Sequence, residues 1–380
     1  MTVAATGLSY SASMKLIAQL KLQPTPEQAA VLLRTLETTN QACNAISRVA
    51  WQTRTFGTFA LQKRCYRDVR DAFGLSAQMT VRALAKVGAS YTRDRTVQRH
   101  FQPQGSIAYD DRILSWNLHA PSVSIWTMAG RLSIPFVAGE RQVRLLHTRQ
   151  GETDLVYRRG TFYLLATCTV VEPDPISVGG ALGVDLGVTN IVAQSDGEVL
   201  SGSHIKNVRY RHRRLRTRLQ KKGTKAAKRR LKQLSGQERR FAADTNHVIA
   251  KRLVQQAART KRALALEDLK GIRSRVRARR PQRVVLHSWA FHQLRSFIQY
   301  KARLAGVPVV LVDPRNTSRE CAQCGHIDKA SRKTQASFVC TSCGATAHAD
   351  VNAATIIRRR AEVMLPHVSE PRLQGQAALL

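Results

Sequence analysis

Polar and apolar residues partly alternate from Lys15 to Leu22, in Lys15-Leu16-Ile17-Ala18-Gln19-Leu20-Lys21-Leu22, which predicts a strand. Thr25-Pro26-Glu27-Gln28 follows, with an N-cap threonine, proline at the first helical position and a glutamine three places on, the signature of a capping box. Val31, Leu32, Leu36, Cys43, Ile46, Val49 and Ala50 then recur near helical spacing as far as Thr53, and Gly57 breaks the run. Two more helices are predicted, from Phe59 to Phe73 and from Ser76 to Tyr91. After Phe101 the period shortens. Segments at Ser122–Thr127, Leu132–Phe136, Val143–His147, Asp154–Tyr157 and Thr161–Val170 read as strands, with Arg159-Gly160 as a hairpin turn. The pattern predicts a small antiparallel sheet or barrel that takes in the strand at Lys15 and is interrupted by a helical bundle. Pro173-Asp174-Pro175 reads as a linker.

Beyond the linker the pattern changes class. Ala181 to Asp185 is an apolar run ending in a carboxylate, Ile191-Val192-Ala193 is a second strand, and Ser195-Asp196-Gly197 supplies hairpin chemistry before Val199-Leu200. A basic helix pair broken near Gly223 continues to Ala257. Ala263–Leu269 is an apolar strand ending in acids, Arg273–Arg283 a charged loop, Ser288 to Ala305 a helix and Val307–Val312 a further strand. Strands alternating with helices predict an α/β sheet.

Charge narrows the function classes. Sixty-one Lys and Arg against twenty-five Asp and Glu give a formal charge of +36. A folded domain so unbalanced repels itself unless a polyanion neutralises it, and each phosphate contact releases a counterion. Sixteen of the cations lie between Lys206 and Arg240, with Glu238 the one acid among them. A solvated face is the usual reading of a charge run, but this density favours nucleic-acid contact, with Arg213, Arg214, Arg218, Lys221, Lys222, Lys225, Arg229 and Arg230 the candidate residues. No run of eighteen apolar residues appears, and the first residues lack the order of a signal peptide, so a cytoplasmic protein without a membrane partner is expected.

Seven cysteines form two sets. Cys43, Cys65 and Cys168 are isolated and read as buried thiols. Cys321, Cys324, Cys340 and Cys343 have the spacing C-x2-C-x15-C-x2-C of a four-thiolate structural zinc site, with Gly325 and Gly344 after each pair. The alternatives are two disulfides or a redox pair, and a cytosolic setting disfavours disulfides. His326 and His348 read as bystanders. Three carboxylates also stand out: Asp185 in its strand, Glu267 at a strand end and Asp350 at the start of a helix of small residues. An acid such as Asp185 can cap a loop, pair with an arginine or bind a cation, and a two-metal nuclease needs a convergent set of this kind.

Four stretches, G-V-D-L-G-V-T-N at 183–190, A-L-E-D-L-K-G-I at 265–272, N-T-S-R-E-C-A-Q-C-G at 316–325 and H-A-D-V-N-A-A at 348–354, occur in the order and with the intervening zinc ribbon of the TnpB family, which the chain resembles from Lys15 to about Arg360. That family comprises RNA-guided nucleases of insertion sequences, relatives of compact type V CRISPR effectors. The resemblance implies an RNase H-like RuvC nuclease domain with an inserted zinc ribbon, preceded by a wedge-like β-barrel interrupted by a helical recognition lobe. Its parts would be a wedge at 14–24 and 119–175, a recognition lobe at 25–118, RuvC segments at 176–320 and 348–362, a ribbon at 321–347 and a tail at 363–380. It also implies Asp185, Glu267 and Asp350 as ligands of Mg2+ (two ions), structural Zn2+ in the ribbon, and a guide RNA and double-stranded target DNA as partners. Asp268 would face away from Glu267's side of the strand. The alternatives are a nuclease-inactive guide-directed DNA-binding repressor, a CRISPR-associated effector of the same build, and a strand-transfer transposase.

Overall fold

The computed structural model describes residues 12–187, 189–269 and 291–365. The chain divides into two compact units, 1–171 and 172–380. The charged loop expected at 273–283, the first residues of the helix expected from Ser288 and most of the tail lie outside the described residues.

In the first unit β1 (Ser13–Leu22) is followed by three helices, α1 (Pro26–Gln52), α2 (Thr58–Phe73) and α3 (Ala77–Arg93). The Thr25–Gln28 capping box closes reciprocally, Thr25 accepting from the Gln28 amide at 3.3 Å and Gln28 accepting from the Thr25 amide at 3.1 Å. The sheet is completed by β2 (Ile107–Tyr109), β3 (Leu114–Asn117), β4 (Ser122–Thr127), β5 (Gly130–Val137), β6 (Arg149–Arg158) and β7 (Thr161–Val171), with α4 (Glu140–Leu146) between β5 and β6. The order is β2-β6-β7-β1-β5-β4-β3, and every pair is antiparallel. β1 thus lies in the middle of a sheet whose other strands all follow the helices. Inward residues of both parts, Leu20, Leu36, Leu84, Tyr91 and Leu164 among them, share one core.

Two sequence expectations differ here. Strands begin at Ile107, within the stretch 25–118 expected as the helical lobe. Val143–His147, expected as a strand, lies largely within α4, for Gly139 provides a helix start with Glu140 in the first turn. Five residues are too few for the two periods to separate. Arg159-Gly160 makes the expected turn, with φ of 53° and 80°, both left-handed, as a tight hairpin requires.

The second unit carries a five-stranded sheet: β8 (Ala181–Asp185), β9 (Asn190–Gln194), β10 (Val199–Ser201), β11 (Ala263–Glu267) and β12 (Val309–Val312), in the order β10-β9-β8-β11-β12. The first three form an antiparallel meander, and β11 and β12 run parallel to β8. α5 (Ser203–Lys222) and α6 (Lys225–Arg259) are the basic pair, parted by left-handed Gly223 and the cap Thr224. α6 packs with α7 (Phe291–Leu304) to cover one face of the sheet, over a core of Leu182, Val184, Leu253, Leu266 and Ile298. α8 (Ala349–Met364) covers the other, with Ile357 and Ala361 against Ala181, Ala265 and Val312. The inserted segment between β12 and α8 holds the four clustered cysteines and a small hairpin, β13 (Ser337–Val339) with β14 (Thr346–His348).

One glycine sets how closely α8 can approach. A Cβ on Gly183 would collide with the Ala354 carbonyl oxygen and stand 2.7 Å from the Arg358 amide nitrogen. Only a residue without a side chain lets the helix backbone lie directly on β8, and this contact carries the helix N-terminus to the C-terminal end of the strand.

Candidate active site and metal centre

Asp185 and Glu267 end two neighbouring parallel strands. The register pairs Ala181 with Ala263 and Val184 with Leu266, which brings the two acids level with each other. Asp350 is the second residue of α8, 4% exposed, and the close approach at Gly183 brings it over the same strand ends. Asp185 feels the other two electrostatically. Burial first, then the charges of Glu267 and Asp350, push Asp185 up to about 7, and Arg332 opposes them. Burial also raises Glu267, against the hydroxyl of Thr317 and the charge of Arg360. This is the signature of carboxylates gathered without enough positive charge between them. Asp268 turns to the other side and pairs with Arg295 at 2.8 Å.

Several further residues support these acids. Arg332, from the cysteine-bearing insert, places Nη2 2.7 Å from Asp350 Oδ1, and Asn190 donates to the other carboxylate oxygen at 2.9 Å. Buried Thr317 donates its hydroxyl to Glu267. Asn190 and Thr317 fall inside two of the quoted motifs, so a signal for them existed. Arg332 lies in an unremarkable Ser-Arg-Lys stretch.

The cysteine cluster is a separate centre. Among the described residues, the ligand atoms of Cys321, Cys324, Cys340 and Cys343 all lie within 4.8 Å of one another. Sγ of Cys321 is 3.8 Å from that of Cys343, and Sγ of Cys324 is 3.6 Å from that of Cys340. A tetrahedron of sulfurs about 2.3 Å from a zinc ion has edges of ~3.8 Å, so the donor set fits zinc. The two halves repeat one knuckle. The amides of Gly325 and Gly344 donate to the carbonyls of Cys321 and Cys340 at 2.9 and 3.1 Å, and the two glycines take left-handed φ of 76° and 71°. The Cys343 amide holds the Cys340 thiol below the usual range. No disulfide forms among the seven cysteines, and Cys43, Cys65 and Cys168 are buried.

The eight basic residues singled out on α5 and α6, Arg213, Arg214, Arg218, Lys221, Lys222, Lys225, Arg229 and Arg230, are all exposed. Glu238, the lone acid of the run, is taken up by Arg216, with His212 3.8 Å away. Among the described residues no helix is long and apolar enough to cross a membrane.

Two family models match. Residues 167–271 match the OrfB_IS605 model, described as a probable transposase, and residues 291–357 match the Cas12f1-like TNB domain. A CRISPR-associated endodeoxyribonuclease Cas12f1 of Sulfoacidibacillus thermotolerans is 32% identical over 190 residues, 46% of this chain and 44% of that protein. A TnpB-like protein of Methanocaldococcus jannaschii is 31% identical over 175 residues, 43% of this chain and 62% of that protein. The chain thus spans less than half the length of the Cas12f1 proteins it matches. A cryo-EM structure of a Cas12f1–sgRNA–target DNA complex shares the fold, with a TM-score of 0.61 at 14% identity over 88% of this chain and 83% of that one. Over the stretches matched by the two models the chain is similar to OrfB-type TnpB proteins and their Cas12f relatives, the family its four motifs resemble.

Proposed function

We propose that the protein is an RNA-guided DNA endonuclease whose phosphodiester hydrolysis takes place at Asp185, Glu267 and Asp350. The observation that carries this reading is the convergence of three carboxylates, Asp350 buried and Asp185 and Glu267 half-buried, at the C-terminal ends of β8 and β11, with Asp185 raised by burial and by its neighbours. Perturbed acids in such a cluster favour cation binding over a structural role. The strand order, with a three-stranded meander followed by two parallel strands, is what an RNase H-like RuvC domain requires. In this reading 176–320 and 348–362 form the nuclease, 321–347 the ribbon, and the sheet and helices of the first unit the wedge and recognition lobe.

Asp185, Glu267 and Asp350 would hold Mg2+, which supplies an activated water and neutralises the leaving oxygen. The chain's own part is positioning. Thr317 fixes one oxygen of Glu267, Asn190 fixes one of Asp350, and Arg332 brings a guanidinium suited to a phosphate oxygen. Cys321, Cys324, Cys340 and Cys343 would hold Zn2+ as a structural ion, since four thiolates leave no open position for catalysis. The exposed cations of α5 and α6 would grip a guide RNA and its heteroduplex with target DNA by the backbone, while base pairing selects the sequence. Transposon-encoded and CRISPR-associated versions share this chemistry, and the complete acid set gives no support to a nuclease-inactive repressor.

The test uses the full chain with its copurifying RNA, a matching DNA target and Mg2+. Asp185→Ala should abolish guided cutting while RNA binding persists, and cutting retained by that variant refutes the assignment.

A further inference from the structure

The cysteine-bearing insert reaches two of the three acids, Thr317 meeting Glu267 just before the first knuckle and Arg332 meeting Asp350 between the two. Something must therefore hold the insert in register with α8. A buried polar side chain of the helix that carries Asp350 hydrogen-bonds the first knuckle. Asn352 is 2% exposed and lies two residues after Asp350, roughly 200° around the helix, so the two point to different sides. Its Oδ1 accepts from the Ala322 amide at 2.9 Å, and its Nδ2 donates to the Glu320 carbonyl at 2.7 Å. Those peptide groups flank Cys321 on either side. Both ends of the carboxamide are thus used, on one zinc-ligand residue's own backbone. Farther along α8, Arg360 takes the Glu320 carboxylate and donates to the carbonyls of Asp313 and Arg315 at 2.7 and 2.8 Å. The segment that carries Thr317 is therefore pinned at both ends to this helix.

We propose that Asn352 is a positioning residue: it clamps the first zinc knuckle onto the catalytic helix, so that the order of the ribbon and the placement of Thr317 and Arg332 on the acids are coupled. The proposal rests on the nuclease reading above. Asparagine suits the task because it offers a donor and an acceptor in one plane. Aspartate accepts from Ala322 but cannot donate to Glu320, and alanine does neither. A buried peptide group left without its partner is the strongest reason for the knuckle to move.

Zinc-loaded full-length wild type, Asn352→Asp and Asn352→Ala, each with copurified RNA, decide the matter by two measurements that need no turnover. The first is the rate of zinc release to a colorimetric chelator. The second is Mn2+ binding followed by electron paramagnetic resonance. Asn352→Ala should release zinc at least tenfold faster and bind Mn2+ several-fold more weakly, with Asn352→Asp between it and wild type and RNA affinity unchanged in both. Wild-type values in the two variants overturn the clamp. Faster zinc release with unaltered Mn2+ affinity also overturns it, because Asn352 would then stabilise the ribbon alone. If Asn352→Ala does not fold, Asn352→Asp decides by the same two measurements, with wild-type values again overturning the clamp. A wild-type chain that neither binds Mn2+ nor cuts DNA points instead to failure of the nuclease reading.

Discussion

If three acids are gathered in a pocket short of positive charge, neutralising one should stabilise the protein while it destroys cutting. Asp185→Asn is the most direct case. The ordinary carboxyl value of 3.8 rises to about 7 in the folded chain. A raised folded value means that stability is fully present below the unfolded pKa and is lost as pH climbs through the folded one, so the ionised Asp185 burdens the fold increasingly between roughly pH 4 and pH 7. At ~1.4 kcal/mol for each tenfold change in proton affinity, that rise sets an upper limit of about 4 kcal/mol at pH 8. Asp185 keeps partial solvent exposure, and screening brings the expectation nearer ~2 kcal/mol. For a unit of this size that is a rise in melting temperature of about 4–8 °C. The assay is scanning calorimetry of the zinc-loaded chain without added Mg2+ at pH 5 and pH 8. The variant should melt higher than wild type, and the gap should shrink at pH 5, where the folded wild type is already protonated. Added Mg2+ should then raise the wild type and leave the variant where it was. A variant that melts no higher than wild type at pH 8, or a gap that ignores pH, would refute the argument that these carboxylates repel one another.

Two other substitutions probe the same framework. Gly183→Ala should drive α8 off β8, because its Cβ meets the Ala354 carbonyl. We expect a loss of about 3 kcal/mol or more in the second unit, read as a lowered melting temperature or as insoluble protein. Arg332→Ala should leave Asp350, whose side chain is 6% exposed, without its cation. Guided cutting should slow at least tenfold at saturating Mg2+ with zinc content and RNA affinity retained, and Arg332→Lys should recover part of the rate as a point charge without the fork.

How much of this could be read from the sequence depended on how far apart the interacting residues lie. Features whose cause is local were legible: the capping box at Thr25, the left-handed break at Gly223, the hairpin at Arg159-Gly160, and the two knuckles that follow one rule twice. Short segments misled, since Val143 to His147 satisfies a strand pattern and forms most of a helix. The acids could be named but their meeting could not. That meeting depends on parallel pairing of β8 with β11 across an intervening helical hairpin and on the absence of one Cβ at Gly183. The contacts of their supporting partners were out of reach for the same reason: Asn190, though inside a motif, meets Asp350 across 160 residues, and nothing near Arg332 marks it.

The net charge of the chain and the charge of the site point in opposite directions, and the local one decides. A formal +36 favours ionised carboxylates everywhere in the molecule, yet Asp185 resists ionisation. Distant cations act through water and salt and fade within about 8–10 Å, whereas burial and two adjacent carboxylates act through protein. Arg332 beside Asp350 and the charge of Arg360 acting on Glu267 offset only part of the three negative charges, since Asp185 is still raised. Such a pocket attracts small, highly charged ions that can approach all three oxygens more than it attracts another side chain. In the function proposed here the exposed cations of α5 and α6 serve the opposite purpose, because they would meet a polyanion from solvent and need no fixed geometry. A nuclease that gathers nucleic acid over a basic surface and cuts it at an acidic pocket needs both, kept apart by burial. For that reason a charge reversal on the basic helices should weaken RNA binding without moving the pH dependence that Asp185 governs.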